Sequence, residues 1–147
     1  MLTIIQRVTE SQVVVNNETI GKIGQGIMAL VAMEKEDGEN EANRLLEKIL
    51  NYRIFSDEND KMNLSLREIK GGLLLVPQFT LAANTKSGNR PSFSAAATPE
   101  KAKQLFSYFC QQATKKFPTT EFGQFGADMQ VSLINDGPVT FLLKTNG

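Results

Sequence analysis

The chain has 147 residues, zero formal net charge, 41% hydrophobic and 22% charged residues, which is ordinary globular usage and excludes disordered and fibrous classes. The absence of histidine excludes His-dependent triads, histidine metal sites and imidazole general bases, and a single cysteine excludes an internal disulfide. A neutral chain also lacks the basic coat of a general nucleic-acid binder, which leaves room only for a small basic patch reading one end of an RNA.

This length predicts one domain over residues 1–147, with a core large enough to stand without metal or disulfide. The opening apolar run is short and broken by Arg7, so neither a signal peptide nor a membrane span is expected, and the expected location is cytoplasmic. Leu2 to Val8 and Gln12 to Val15 read as paired strands, and Asn16-Asn17 as a turn leading into Glu18-Thr19-Ile20. Gly26 to Met33 is an aliphatic run suited to a central strand. A helix should open at Asp37 or Gly38 and run to about Asn51. Ala42, Leu45, Leu46, Ile49 and Leu50 share one of its faces, and Glu39, Glu41, Arg44, Glu47 and Lys48 form a solvated one. The acidic stretch Ser56 to Asp60 lacks the ligand spacing of an EF-hand loop and is read as an ordinary turn; no metal is assigned.

Gly71-Gly72 then leads into Leu73-Leu74-Leu75-Val76, an unbroken apolar run that suits a strand covered on both faces. Pro77 cannot donate to a sheet ladder, so the strand should end or bulge there and leave Gln78, Phe79 and Thr80 at a sheet margin with free backbone N–H groups. Free amides beside a hydroxyl and a carboxamide form a candidate reaction site; the alternative is a core strand turning a corner, with Gln78 and Thr80 satisfying local backbone. Between Glu68 and Glu100 there is no acidic residue, whereas Lys70, Lys86 and Arg90 fall inside, which predicts a positive local surface. Thr98-Pro99-Glu100 opens a second helix with Thr as N-cap. Ala102, Leu105, Phe106, Phe109, Cys110 and Ala113 form its core stripe, and Lys115-Lys116 close it. Two strands, about Ala127 to Ile134 and Val139 to Lys144, flank Asn135-Asp136-Gly137-Pro138, where Asp-Gly signals a hairpin and Pro138 removes a ladder donor.

Taken together, Gln6-Arg7-Val8, Tyr52-Arg53-Ile54-Phe55, Lys61-Met62-Asn63, Gln78-Phe79-Thr80-Leu81, Arg90-Pro91-Ser92-Phe93, Ala127-Asp128-Met129-Gln130-Val131 and Asn135-Asp136-Gly137-Pro138-Val139-Thr140 resemble the D-aminoacyl-tRNA deacylase family of bacterial and eukaryotic type. The resemblance runs from Met1 to Thr145. It implies an α+β fold with a mixed, partly barrel-like sheet, two main helices and a homodimer. The implied activity is hydrolysis of the ester joining a D-amino acid, or glycine mischarged on alanine tRNA, to the 3′-terminal adenosine of tRNA, with no cofactor. The resemblance further implies a cis Gly137-Pro138 bond that reaches into the partner's pocket and rejects L side chains, with Arg7 holding that turn. Gln78, Phe79 and Thr80 would be the catalytic residues lining the pocket around adenosine and ester, and Phe125 and Met129 would be part of its wall.

An aminoacyl ester is already activated, so backbone N–H groups of Phe79 and Thr80 can supply much of the effect by stabilising the oxyanion. The family resemblance suggests that the 2′-hydroxyl of the substrate's own ribose assists. Thr80 as nucleophile lacks a neighbouring base to activate it. The sequence departs from the family pattern at Pro77, where Ser is usual, and at Asn84, where Asp is usual. Pro77 and the missing side-chain base motivate an alternative, a catalytically weak module on the same fold that binds an RNA end or another protein.

Overall fold

The computed structural model describes residues 1–145 of the chain. In chain order it contains β1 (Leu2–Val15), β2 (Glu18–Ile23), β3 (Gly26–Ala32), α1 (Glu39–Asn51), β4 (Phe55–Ser56), β5 (Met62–Leu64), α2 (Leu66–Ile69), β6 (Gly72–Pro77), a 3-10 turn (Phe79–Ala82), α3 (Pro99–Lys116), β7 (Thr120–Phe122) and β8 (Gln130–Lys144). The main sheet is mixed, in the order β2-β1-β3-β6-β7, with β8 also paired to β1. β3, β6 and β7 run parallel to one another, whereas β2, β3 and β8 all run antiparallel to β1. Because β2 folds over to touch β6 and β7, the sheet curls towards closing on itself. The architecture is therefore the expected α+β, nearly barrel-like one, with two long helices and the short third helix α2.

Two strand expectations are corrected. Leu2 to Val15 is one strand, not a pair: Thr9-Glu10-Ser11 contains no Gly, Pro or Asn to turn on, and the chain absorbs these residues as irregularities in its pairing with β8. Ser11 is buried, and its hydroxyl donates to the Ser132 carbonyl at 2.8 Å. The real turn is Asn16-Asn17, both at positive φ (50° and 66°), the mirror-image geometry that joins twisted antiparallel strands and that Asn tolerates. Likewise residues 130–144 form one strand instead of a hairpin. Both halves pair with β1, and the Asn135 to Pro138 stretch swells out as a bulge where Val8 pairs with Asn135 and Gln6 with Thr140.

The sheet has an apolar layer on each face. On one side α1 and α3 bring Leu45, Leu46, Ile49, Phe106 and Phe109 onto Ile5, Ile27, Leu73 and Leu75. Inside the curl, Val8, Val13, Ile23, Met28, Leu74 and Val76 pack with Met129, Val131 and Leu133. Alternate residues of β6 thus point into different layers, which is why its sequence reads as an unbroken apolar run. β3 and β6 begin in direct backbone contact, since a Cβ on Gly26 would lie 1.9 Å from the Gly72 oxygen. Thr98 caps α3 by accepting from the Lys101 amide at 3.3 Å, with Pro99 in the first turn. The polar face of α1 is more than solvated: Glu47 accepts from Arg67 and Lys116, both at 3.0 Å, and these cations hold its carboxyl down at about 2. Among the described residues no helix is long and apolar enough to cross a membrane.

The N-terminus anchors the turn after β3. The Met1 ammonium is buried 2.6 Å from Asp37 Oδ1, which has no other polar partner among the described residues, and donates to Thr145 Oγ1 at 2.9 Å. Asp37 Oδ2 in turn accepts from the Glu34 amide at 2.7 Å.

Candidate active site

Where β6 ends, the chain changes from a buried ladder to open backbone. Pro77 is still in register with Val31 of β3, and the Gln78 amide donates to the Val31 carbonyl at 2.8 Å. The expected free N–H at Gln78 is therefore corrected: the chain follows β3 for one residue beyond the proline before it breaks away. Phe79 and Thr80 then open the 3-10 turn. The amides after them are used, Leu81 to the Gln78 carbonyl at 3.2 Å and Ala83 to the Thr80 carbonyl at 3.1 Å. The first residues of such a turn have no preceding carbonyl to bond, so the Phe79 and Thr80 amides remain available. The Gln78 side-chain amide donates to the Thr80 hydroxyl, so these polar groups satisfy each other.

This margin forms one wall of a cleft of about 440 Å³. Val76, Pro77, Gln78 and Phe79 face Ala97, Pro99 and Ala102 at the start of α3, and the segment from Phe125 to Met129 completes the lining. Phe125 is held against Phe106 with ring centroids 6.4 Å apart. Met129 Sδ accepts from the Gln124 amide at 3.4 Å, and Gly123 donates to the Leu75 carbonyl at 2.8 Å, which ties this wall to β6. The walls are largely apolar, and among the described residues Asp128 is the only charged one in the lining. Thr80 joins the cleft through Gln78, without lining it.

Arg7, Gly137 and Pro138 stand elsewhere. The Gly137-Pro138 peptide bond is cis. Gly137 has φ +142°, and a Cβ there would lie 2.9 Å from the Val139 nitrogen and 3.3 Å from Arg7 Nη2, so glycine is required. Arg7 Nε donates to the Asp136 carbonyl at 3.0 Å, and its Nη1 donates to the Ile54 carbonyl at 2.8 Å. Asn135 closes the bulge, accepting from the Val139 amide at 2.9 Å and donating to Thr140 Oγ1 at 2.9 Å. None of these three residues lines the cleft of its own chain. Arg7 pairs with Ile27 and Pro77 with Val31, which puts the bulge roughly 13 Å from the cleft along the strands and roughly 14 Å across three strand spacings.

Sequence reading missed the role of Asn135, whose only signal was its place beside Asp-Gly-Pro, and the wall supplied by Ala97, Pro99 and Ala102. It also missed Phe93, whose ring lies 5.2 Å from that of Phe79. Cys110 is largely buried, and burial pushes its thiol up to about 12, which makes it inert as a nucleophile.

Residues 4–144 match the family described as D-Tyr-tRNA(Tyr) deacylase. The chain is 62% identical to the D-aminoacyl-tRNA deacylase of Pseudoalteromonas translucida, over 97% of this chain and 99% of that protein. It is 59% identical to the one from Haemophilus influenzae strain PittEE, over 98% and 99%. Among solved structures, a c-Myc DNA Unwinding Element Binding Protein superposes with TM-score 0.95 at 38% identity, covering all of both chains. A probable eukaryotic D-amino acid tRNA deacylase superposes with TM-score 0.86 at 16% identity, over 97% of each chain, a likeness of fold. On the family match and these full-length relatives, the chain belongs to the D-Tyr-tRNA(Tyr) deacylase family.

Proposed function

We propose that the protein hydrolyses the ester between a D-amino acid, or glycine, and the 3′-terminal adenosine of tRNA, and so acts in quality control of translation. The observation that carries the chemistry is the pair of open amides at Phe79 and Thr80 on the edge of an apolar cleft. Water attacks the ester carbonyl carbon, and the carbonyl oxygen becomes an oxyanion that accepts hydrogen bonds from these two amides. One such donor is worth about 2.7 to 4 kcal/mol in a water-poor site. Collapse of the tetrahedral intermediate breaks the bond to the ribose oxygen, which leaves with a proton, giving free amino acid and tRNA. The 2′-hydroxyl of the substrate's own ribose assists, which suits a chain with no histidine. Gln78 braces Thr80, and Phe125 and Met129 wall the pocket.

Selection for D substrates rests, in this reading, on a second copy of the chain. In a homodimer the Gly137-Pro138 bulge of one protomer enters the cleft of the other and turns its carbonyls toward the substrate α-carbon. A hydrogen fits against them and an L side chain collides. Support comes from the separation of the two groups of residues within one chain, and from the Arg7 and Asn135 bonds that hold the bulge in one shape. The whole chain then works as one domain, in the cytoplasm where charged tRNA is found.

The test is incubation of the pure protein with matched D- and L-aminoacyl-tRNA. Loss of the D ester with the L ester intact is expected. Deacylation of neither, with RNA still bound, would leave the RNA-end-binding reading in its place, and equal loss of both would remove the chirality check.

A further inference from the structure

Of the nine phenylalanines, Phe79 and Phe93 are the only exposed ones, 59% and 40% open to solvent, with ring centroids 5.2 Å apart and planes tilted by 49°. Large aromatic side chains are normally buried, and a contiguous exposed pair marks a surface that something covers. The neighbouring backbone is built to hold one shape: Asn84 and Ser92 exchange hydrogen bonds, amide to carbonyl at 2.7 Å and 3.1 Å, and pinch off the loop between them. Lys86 and Arg90 lie in that loop, and among the described residues neither makes an ion pair. Phe93 follows the pinch directly. From Glu68 to Glu100 the chain carries no acidic residue to neutralise this surface.

We infer that the Phe79 and Phe93 rings, with Lys86 and Arg90, form the seat for the unpaired nucleotides that precede the terminal adenosine of the RNA substrate. The inference rests on the deacylase reading and deepens it, by naming the part of the substrate this surface holds. A polyanion whose bases present flat faces is the partner that uses aromatic rings and free cations together. A purely apolar protein partner would leave the two cations unpaired. The placement follows from one residue: Phe79 lines the cleft margin beside the proposed ester site, while its ring is 59% exposed and rests against Phe93, which is outside the lining, so the base one step back along the RNA reaches the ring pair. Phe93 touches neither the ester nor the cleft and acts as a positioning residue, lowering the concentration at which tRNA is held.

The test compares D-aminoacyl-tRNA with D-aminoacyl-adenosine, which ends at the terminal nucleoside and has nothing to place on the seat. For Phe93→Ala, KM for the tRNA should rise about tenfold with kcat nearly unchanged, the low end of what one stacked base contributes since Phe79 already covers part of the ring. Hydrolysis of the adenosine ester should not change, and Phe93→Tyr should restore the tRNA KM. Lys86→Ala with Arg90→Ala should flatten the dependence of log KM on log salt by about 1.4, two phosphate contacts at about 0.7 each. An equal change on both substrates, no change with tRNA, or a shift in sedimentation caused by Phe93→Ala would overturn the seat while leaving the deacylase reading standing. A parent protein inert toward both esters would overturn that reading and the seat with it.

Discussion

The cleft margin and the β8 bulge are both departures from regular strand, and they are built in opposite ways. At the cleft an apolar strand runs out at Pro77 and leaves backbone amides of Phe79 and Thr80 without partners. At the bulge the surrounding polar groups are used: Arg7 binds the Asp136 and Ile54 carbonyls, and Asn135 binds Val139 and Thr140. Open donors can follow a charge that appears only during a reaction, whereas a closed network fixes a shape. In the proposed function the first region is suited to chemistry and the second to exclusion.

The largest way to break this contrast lies beneath the cleft. Asp37 and the Met1 ammonium fix the turn after β3, and the cleft wall hangs on that turn through Lys35 to Ala95 and Ala97 to Met33, both backbone bonds of 3.1 Å. Asp37→Asn removes one partner of a buried pair and should cost about 3 to 5 kcal/mol. Thermal unfolding should fall by about 10 °C or more; a shift under about 2 °C would show that the pair does not hold the turn. Next is the bulge. Arg7→Ala leaves two carbonyls unpaired and should cost about 2 kcal/mol. It should also narrow the D-over-L rate ratio at least tenfold while the D rate stays within a few fold. Arg7→Lys should recover this only in part, since an ammonium cannot reach two divergent carbonyls as a guanidinium does. An unchanged ratio in Arg7→Ala would separate the bulge from discrimination. The smallest effect is expected at the cleft itself: Thr80→Val keeps the backbone amide and loses the hydroxyl, and kcat/KM should stay within about threefold. A collapse of activity with the fold intact would instead give the hydroxyl a chemical role.

Much of this was legible from residue pattern, and the failures have identifiable causes. The two long helices were readable because their apolar faces repeat at helical spacing and one carries a Thr-Pro-Glu start. The β6 strand was readable because burial on both faces leaves an unbroken apolar run. The two long strands β1 and β8 were each split in two by reading polar interruptions as turns. Ser11 sits inside the sheet because its hydroxyl bonds to the neighbouring strand, and Asn135 because its side chain bonds across the bulge of its own strand; pairing with a distant strand is invisible to local spacing. For the same reason the free amide expected at Gln78 was lost to Val31, a residue far away in the chain. The resemblance named the candidate site residues, but only the fold separates them into a cleft group and a bulge group.

The central claim is that these two groups meet across two copies of the chain. On a Cys110→Ala background, one variant carries Asp136→Cys at the bulge, where the native side chain is 47% exposed, and the other Asp128→Cys at the cleft. Each is mixed with the other and treated with a short thiol-to-thiol linker. Within one chain Asp136 lies six residues along β8 from Gln130, with Asp128 two residues before that strand, so the positions are roughly 20 Å or more apart by strand rise. The account predicts a linked dimer containing one of each variant, suppressed when the cleft is occupied by a D-aminoacyl-adenosine analogue whose ester is replaced by an amide that resists hydrolysis. A mixture that yields no linked pair, from protein that sediments as a monomer and still discriminates D from L, would contradict it.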